Sequence, residues 1–391
     1  MKLGIDKLGF YTPPAYLDML DLAEERDVDP NKYIIGIGQE KMSIAPKAYD
    51  IVAMAANAAN RILTDSDKEA IDMVLFATES SVDFSRSAGT WVHELIGLQP
   101  NTRSVELKQA CYSATAGIQL AMGHLALRPS SKVLVLASDI AKYGIKTGGE
   151  PTQGAGAVAM LLSTNPSILA VEPESGYFTK ATDDFWRPTY AEFPYVDGKY
   201  SNEAYLDTLM ATWNHYKETH KGSLSEFEAL TFHVPYTKMG RKALQALADE
   251  MDEETAERFD KHYESAILYN KNVGNIYTGS LYLNLISLLE QAEGLEVGDR
   301  IGMYSYGSGS VGEFFAGQLQ EGFEKHLMKE ENEALLENRV KLTIEEYEEI
   351  LERPVFGEED GNMKTDDSYT NKGDFIFSGL DDHRRRYVIA E

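Results

Sequence analysis

Hydrophobic and polar positions along this chain alternate between helical spacing and short continuous apolar runs. Residues 50–63 place apolar side chains and alanines at helical spacing, and residues 87–95 also predict a helix. Residues 73–77 form a short apolar run that ends in Thr78-Glu79-Ser80. Residues 132–137 (Lys-Val-Leu-Val-Leu-Ala) and 155–162 predict further buried strands. Strands without strict alternation, interleaved with helices, predict an α/β fold whose central strands are covered on both faces.

The second half replays this order. Residues 229–233 predict a strand ending at His233, and residues 238–247 a helix. A small polar stretch, residues 275–280, leads into an apolar helix at 281–289, and residues 300–304 predict a strand. In this register Glu79 matches His233 and Cys111 falls near Thr278, so polar residues stand at corresponding strand ends. The repeat is one of pattern, not identity, and predicts two similar α/β halves, divided as 1–165 and 166–391. Ligands bind at the carboxyl ends of strands in open sheets of this kind. Two stretches depart from the alternation. Residues 182–201, rich in aromatics, Pro and Asp, predict an ordered loop, and residues 321–352 a charged helical face. Residues 357–372 read as a polar loop.

Composition narrows the picture. The 391 residues carry 37 Lys and Arg against 63 Asp and Glu, a net charge of −26. That excess argues against nucleic acid or an anionic membrane as the main partner, since both need a basic face. No apolar run approaches the ~20 residues of a membrane span, and the N-terminus has no signal-like pattern. The single cysteine excludes an intramolecular disulfide. We expect a soluble, cytoplasmic protein.

The single cysteine also changes the reading of function. Cys111 follows a β-prone run and precedes a small-residue helical run. A helix N-terminus there favours thiolate over thiol; a buried structural thiol is the plainer alternative. With Glu79 as a carboxylate base and His233 as an acid, Cys111 completes a set sufficient for acyl transfer and carbon–carbon bond formation. Glu79 could equally end a strand, and His233 could be a hydrogen-bonded structural histidine. Gly307-Ser308-Gly309-Ser310-Val311-Gly312 matches a dinucleotide-binding glycine pattern, but no second strand with an acidic end follows. It reads better as a turn whose N–H groups face a ligand oxygen. A second glycine-rich loop spans residues 147–156 without a phosphate-loop pattern. Lys238, Arg241 and Lys242 form a basic cluster able to meet a phosphate. The eight histidines are scattered, with no metal-binding spacing.

Several segments, in order, resemble the hydroxymethylglutaryl-CoA synthase family, the bacterial form in particular. They are Ala-Cys-Tyr-Ser-Ala-Thr around Cys111, His-Val-Pro-Tyr-Thr-Lys from His233, Asn-Ile-Tyr-Thr-Gly-Ser from Asn275, and Ser-Tyr-Gly-Ser-Gly from Ser305. The resemblance implies a thiolase-like layered αβαβα fold, normally a homodimer, and a strand after Gly312 where the pattern suggests helix. It implies condensation of acetyl-CoA with acetoacetyl-CoA and water, in the mevalonate pathway to isoprenoids. Cys111 matches the acylated nucleophile, Glu79 the base and His233 the acid. Backbone N–H groups of Cys111 and Ser308, supported by Gly307, look like an oxyanion hole. Asn275 matches a group near the acetoacetyl moiety, and Asp184 and Asp139 match acidic residues that support the site. Tyr143, Thr152 and Ser201 match substrate contacts, and Lys238 looks placed for CoA. Coenzyme A esters are then substrates, with no cofactor or metal implied. Gln109, where the family usually has Glu, and Ser113-Ala114 depart from the pattern. The rivals are a thiolase or ketoacyl synthase, which would need a second Cys or another His pairing, a nucleotide-binding oxidoreductase, and a non-catalytic scaffold.

Overall fold

Two helices, α2 (Ser113–Leu127) and α6 (Ser280–Gln291), form the middle of the molecule. Every residue of α6 from Ser280 to Glu290 is buried, as expected of a helix with protein on all sides. The computed structural model describes residues 1–352, 361–366 and 368–391. Its nine-stranded sheet contains β1 (Leu3–Tyr11), β2 (Ile71–Ala77), β3 (Arg103–Leu107), β4 (Lys132–Ala141), β5 (Gly154–Thr164), β6 (Leu169–Thr179), β7 (Ala229–Phe232), β8 (Arg300–Gly307) and β9 (Val311–Leu319). Their order is β7-β8-β9-β6-β1-β5-β4-β2-β3. Only two residue pairs join β1 to β6, Gly4 to Ala170 and Ile5 to Leu169.

On either side of that join the strand order repeats. β1-β5-β4-β2 is matched by β6-β9-β8-β7. The parallel pair β2–β4 corresponds to β7–β8, and the antiparallel pair β4–β5 to β8–β9.

Side-chain alternation builds the layers. Leu75, Val133 and Val135 face one core with α2, α6, Ile301, Met303 and Phe315. Their neighbours Val74, Phe76, Leu134 and Leu136 pack on an outer helix, α1 (Ile51–Ile62). Phe232, Tyr304 and Phe314 instead pack on α3 (Gly198–His220), α4 (Lys238–Ala246) and α5 (Glu253–Ala266). The result is helix, sheet, helix, sheet, helix, the layering expected when both faces of each sheet are apolar. α1 starts where Asp50 accepts the N–H groups of Val52 and Ala53, a carboxylate satisfying orphan donors.

Three expectations need correction. The run after Gly312 is strand β9, paired with β8 and β6. Buried on both faces, it lacks the alternation that marks a half-exposed strand. Residues 182–201 hold a small hairpin, Phe185–Trp186 with Tyr195–Val196, and the first residues of α3. Between the helices Lys329–Glu337 and Ile344–Glu352, strand Val340–Lys341 pairs with Ala15 and Tyr16. Of the polar segment 357–372, residues 357–360 and 367 lie outside the described residues, and Met363–Lys364 is a short strand. No helix among the described residues is long and apolar enough to cross a membrane.

Candidate active site

The loop from β3 to α2 carries Cys111, and the end of β2 carries Glu79. β2 and β3 are parallel neighbours, with Ala77 opposite Leu107, so both loops emerge together. The Cys111 thiol donates to Glu79 Oε1 at 2.8 Å. Ala110, just before it, holds φ at +44°, a conformation non-glycine residues adopt at some cost.

Asp139, on β4, anchors this corner. Buried completely, its Oδ1 accepts from Glu79 N–H and Thr78 Oγ1, both at 2.8 Å, and from Ser80 Oγ at 2.9 Å. Its Oδ2 accepts from Thr278 N–H at 3.1 Å and Thr278 Oγ1 at 2.6 Å. One carboxylate therefore ties the Glu79 corner to the segment that begins α6.

Two glycines bring the second half's segments close. A side chain at Gly307 would meet the Gln109 carbonyl at 2.5 Å and the Tyr112 nitrogen at 2.7 Å, so only glycine lets the end of β8 lie against the Cys111 loop. Gln109 Nε2 also donates to the Ser308 carbonyl at 3.3 Å. Gly274 holds φ at +88° and bridges to Gly154, bringing Asn275 beside the loop of Thr152.

These segments enclose a cavity of about 780 Å³ lined by Cys111, Tyr143, Thr152, Ser201, His233, Asn275 and Ser308 among others. Asn275 Oδ1 accepts from Tyr277 N–H at 2.9 Å and Ser280 Oγ at 3.0 Å, while Nδ2 donates to Tyr143 OH at 3.4 Å. Tyr143, Phe185 and Tyr277 pack edge to face around one another. His233 is fixed through its backbone: its N–H donates to Tyr304 O at 2.8 Å, and its carbonyl accepts from Tyr205 OH at 2.9 Å. Its Nδ1 is buried with no partner among the described residues.

Other predicted residues stand behind the lining or beyond it. Glu79 reaches the cavity through its contact with Cys111. Asp184 is buried, accepting from Tyr306 OH at 2.7 Å and Gly309 N–H at 2.9 Å. Lys238 is exposed at the first position of α4, outside the lining. Its neighbours are already engaged, Arg241 with Asp260 and Glu264, and Lys242 with Tyr236 OH at 2.9 Å. The Gly307–Gly312 run is a tight connection between antiparallel strands, so it does not open a helix as a dinucleotide-binding turn must. Arg187, Phe185 and Tyr277 also belong to the site without a signal of their own in the sequence, the first two within the 182–201 stretch and the third within the Asn275 segment. Arg187 donates to the Glu79 carbonyl.

Electrostatics set the resting state. Burial, then the Asp139 charge, pushes Glu79 up to about 8. Burial, then the neighbouring Glu79 carboxylate, pushes the Cys111 thiol up as well. This corrects the thiolate expectation. Cys111 precedes α2 by two residues, and the partial charge of a helix end does not outweigh burial beside two carboxyl groups. Burial alone lowers His233 to about 3. Near pH 7 the thiol, carboxyl and imidazole are all neutral.

A layered αβαβα fold with a thiol, a carboxyl and an imidazole converging on an internal cavity defines a thiolase-like protein equipped for acyl transfer. Residues 1–167 match the family profile described as hydroxymethylglutaryl-coenzyme A synthase N terminal, and residues 170–250 and 245–390 match its C-terminal counterpart. The hydroxymethylglutaryl-CoA synthase of Enterococcus faecalis is 52% identical over 95% of this chain and 97% of its own length. PksG of Bacillus subtilis, named a polyketide biosynthesis 3-hydroxy-3-methylglutaryl-ACP synthase, is 33% identical over 89% of this chain and 87% of its own. A crystal structure described as HMG-CoA synthase complexed with CoA superposes with a TM-score of 0.96 at 45% identity, covering 100% of both chains. One described as MvaS in complex with 3-hydroxy-3-methylglutaryl coenzyme A gives 0.91 at 33% identity, over 100% of this chain and 99% of that one. The chain belongs to the hydroxymethylglutaryl-CoA synthase family.

Proposed function

We propose that the chain condenses acetyl-CoA with acetoacetyl-CoA and water, giving 3-hydroxy-3-methylglutaryl-CoA and free CoA through an acetyl thioester on Cys111. The observation that carries this reading is the 2.8 Å contact of Cys111 with Glu79, at a cavity shared with His233 and Asn275.

Cys111 sulfur attacks the acetyl carbonyl, and the thiol proton ends on the departing CoA sulfur. The new thioester keeps the methyl protons acidic. Glu79, which holds its own proton up to about pH 8, removes one after that proton has left to solvent; such base catalysis contributes typically ~10²–10⁴-fold, and works best with a pKa near the operating pH. N–H groups of Cys111 and Ser308 receive the enolate oxygen. The nucleophilic carbon bonds to the ketone carbon of acetoacetyl-CoA. Neutral His233 donates a hydrogen bond to the ketone oxygen and, as charge grows there, relays a proton from water to it. The hydroxide left by that water cleaves the Cys111 thioester, restoring the thiol and releasing a carboxylate, and the proton held by Glu79 leaves to solvent.

Asn275 and Tyr143 contact the acetoacetyl moiety, Thr152 and Ser201 line the path of substrate, and Lys238 meets a CoA phosphate. Asp139, Asp184 and Gly307 hold these groups in place. Coenzyme A enters only within the substrates, and no resident cofactor takes part. The replayed strand order supports a division into 1–165 and 166–391. The product feeds mevalonate and isoprenoid synthesis in the cytoplasm.

The working form is a homodimer. β3 is an edge strand whose Val105 is exposed. Phe84 is 94% exposed on a loop fastened to β3 where Ser81 and Ala88 donate to Glu106. An apolar free edge of this kind suits self-pairing about a two-fold axis.

Intact-mass spectrometry with acetyl-CoA, followed by acetoacetyl-CoA, tests the reaction. An acetyl adduct on Cys111 that disappears as hydroxymethylglutaryl-CoA forms is expected. A folded protein giving neither adduct nor product refutes the reading.

A further inference from the structure

The 185–196 hairpin forms part of the cavity wall. Phe185 pairs with Val196 and Trp186 with Tyr195. Its base is fastened to the β8–β9 turn: Thr182 N–H donates to the Gly309 carbonyl at 2.8 Å, and Gly309 N–H to Asp184 Oδ1 at 2.9 Å. Phe185, Tyr195 and Val196 line the cavity, and the Phe185 ring meets those of Tyr143 and Tyr277 edge on at 6.1 Å.

The same hairpin carries Arg187, whose guanidinium donates to the Glu79 carbonyl. On the other side, Glu79 N–H donates to Asp139 Oδ1 at 2.8 Å. Glu79 is thus clamped through its main chain, its N–H by an anion and its C=O by a cation. The groups facing its carboxyl are Cys111, Asp139, Tyr143, Tyr277 and Arg187. Arg187 is the cation among them.

We propose that Arg187 is a positioning residue for the condensation step, and that through it the hairpin sets the register and charge of Glu79 as it closes the cavity. The inference rests on reading Glu79 as the base of that step. Acetyl transfer to Cys111 needs no methyl deprotonation and is insensitive to this clamp. An opposite charge favours the ionised carboxyl, so losing Arg187 moves Glu79 ionisation upward in pH. Arg187 is exposed, so salt weakens the effect.

The test compares Arg187→Gln and Arg187→Lys with the parent and with Tyr190→Ala, an exposed change on the same hairpin. Cys111 acetylation by acetyl-CoA alone is followed by intact mass, and condensation is followed from pH 6 to 10 at low and high salt. Arg187→Gln is expected to acetylate within about two-fold of the parent. Its condensation should fall about ten-fold at pH 7, an upward displacement of roughly one pH unit, with the deficit shrinking towards pH 9. Arg187→Lys should recover most of the profile, and Tyr190→Ala should match the parent. Equal losses in both half-reactions with an unmoved pH profile would reduce Arg187 to a folding role and overturn the inference. Glu79→Gln, run in parallel, separates the two claims. Condensation surviving in Glu79→Gln overturns the base assignment. Condensation lost there while both Arg187 variants match the parent overturns only the clamp.

Discussion

Glu79 and His233 stand just past the ends of corresponding strands, β2 and β7, one in each half of the repeated topology. Burial acts on both, in opposite directions on the pKa scale, raising Glu79 to about 8 and lowering His233 to about 3. Both are thereby neutral near pH 7, but their surroundings differ. Glu79 sits among Cys111, Asp139 and Arg187, which push its ionisation both ways. His233 is shifted by burial alone, with Nδ1 unpartnered. The carboxyl is therefore tuned by charged and hydrogen-bonding neighbours, whereas the imidazole is shifted by desolvation alone. One fold supplies both environments because equivalent strand ends carry different neighbours.

The largest break of this comparison removes the group between them. Cys111→Ala should abolish acetylation and product formation together, seen by intact mass and by CoA release. Glu79→Ala comes next. Acetylation should persist, since acetyl transfer to Cys111 needs no methyl deprotonation. Condensation should fall by about 10³-fold, at the middle of the general-base range. Acetyl-enzyme that accumulates without turning over is the expected signature; equal loss of both steps would tie Glu79 to acetyl transfer instead.

His233→Ala should cost less, about 10²-fold in condensation, because a hydrogen-bond donor is lost rather than the proton acceptor. Acetylation should be unchanged, and the loss should sharpen at low acetoacetyl-CoA. A defect confined to acetylation would contradict the division of labour between the two strand ends.

Much of this contrast was legible in the sequence. The apolar runs marked β2, β4, β5, β7 and β8, and the replayed order placed Glu79 and His233 at matching ends. The resemblance around Cys111, His233, Asn275 and Ser305 anticipated the residues that share the cavity. β9 escaped the pattern because it is buried on both faces, and the hairpin because its strands are two residues each. The charge states were out of reach. Cys111 looked like a thiolate from its place before a helix, but burial holds it protonated, aided by acidic groups that arrive from β2 and β4. The Arg187 contact links residues 108 positions apart, which no local periodicity can reveal.

The finest test of the comparison reads the two shifts as stability. Glu79 keeps its proton in the folded protein up to about pH 8, whereas unfolded it releases it near the ordinary 4.5. The folded state then binds more protons, so this group's contribution is lost as pH rises from 4.5 to 8. His233 resists protonation in the folded protein down to about 3, whereas unfolded it protonates below 6.5. Here the unfolded state binds more protons, so stability is lost as pH falls from 6.5 to 3. Between 4.5 and 6.5 the two slopes oppose each other and largely cancel. Above 6.5 Glu79 acts alone, and below 4.5 His233 does. Subtracting the parent cancels the group left unchanged, so melting temperatures of Glu79→Gln minus the parent should climb from pH 4.5 to 8, by roughly 2–4 °C over the part above 6.5. The same difference for His233→Asn should climb as pH falls from 6.5 towards 3. A pH-independent difference for either variant would show that burial has not shifted that group, and the symmetry drawn between the two strand ends would fail.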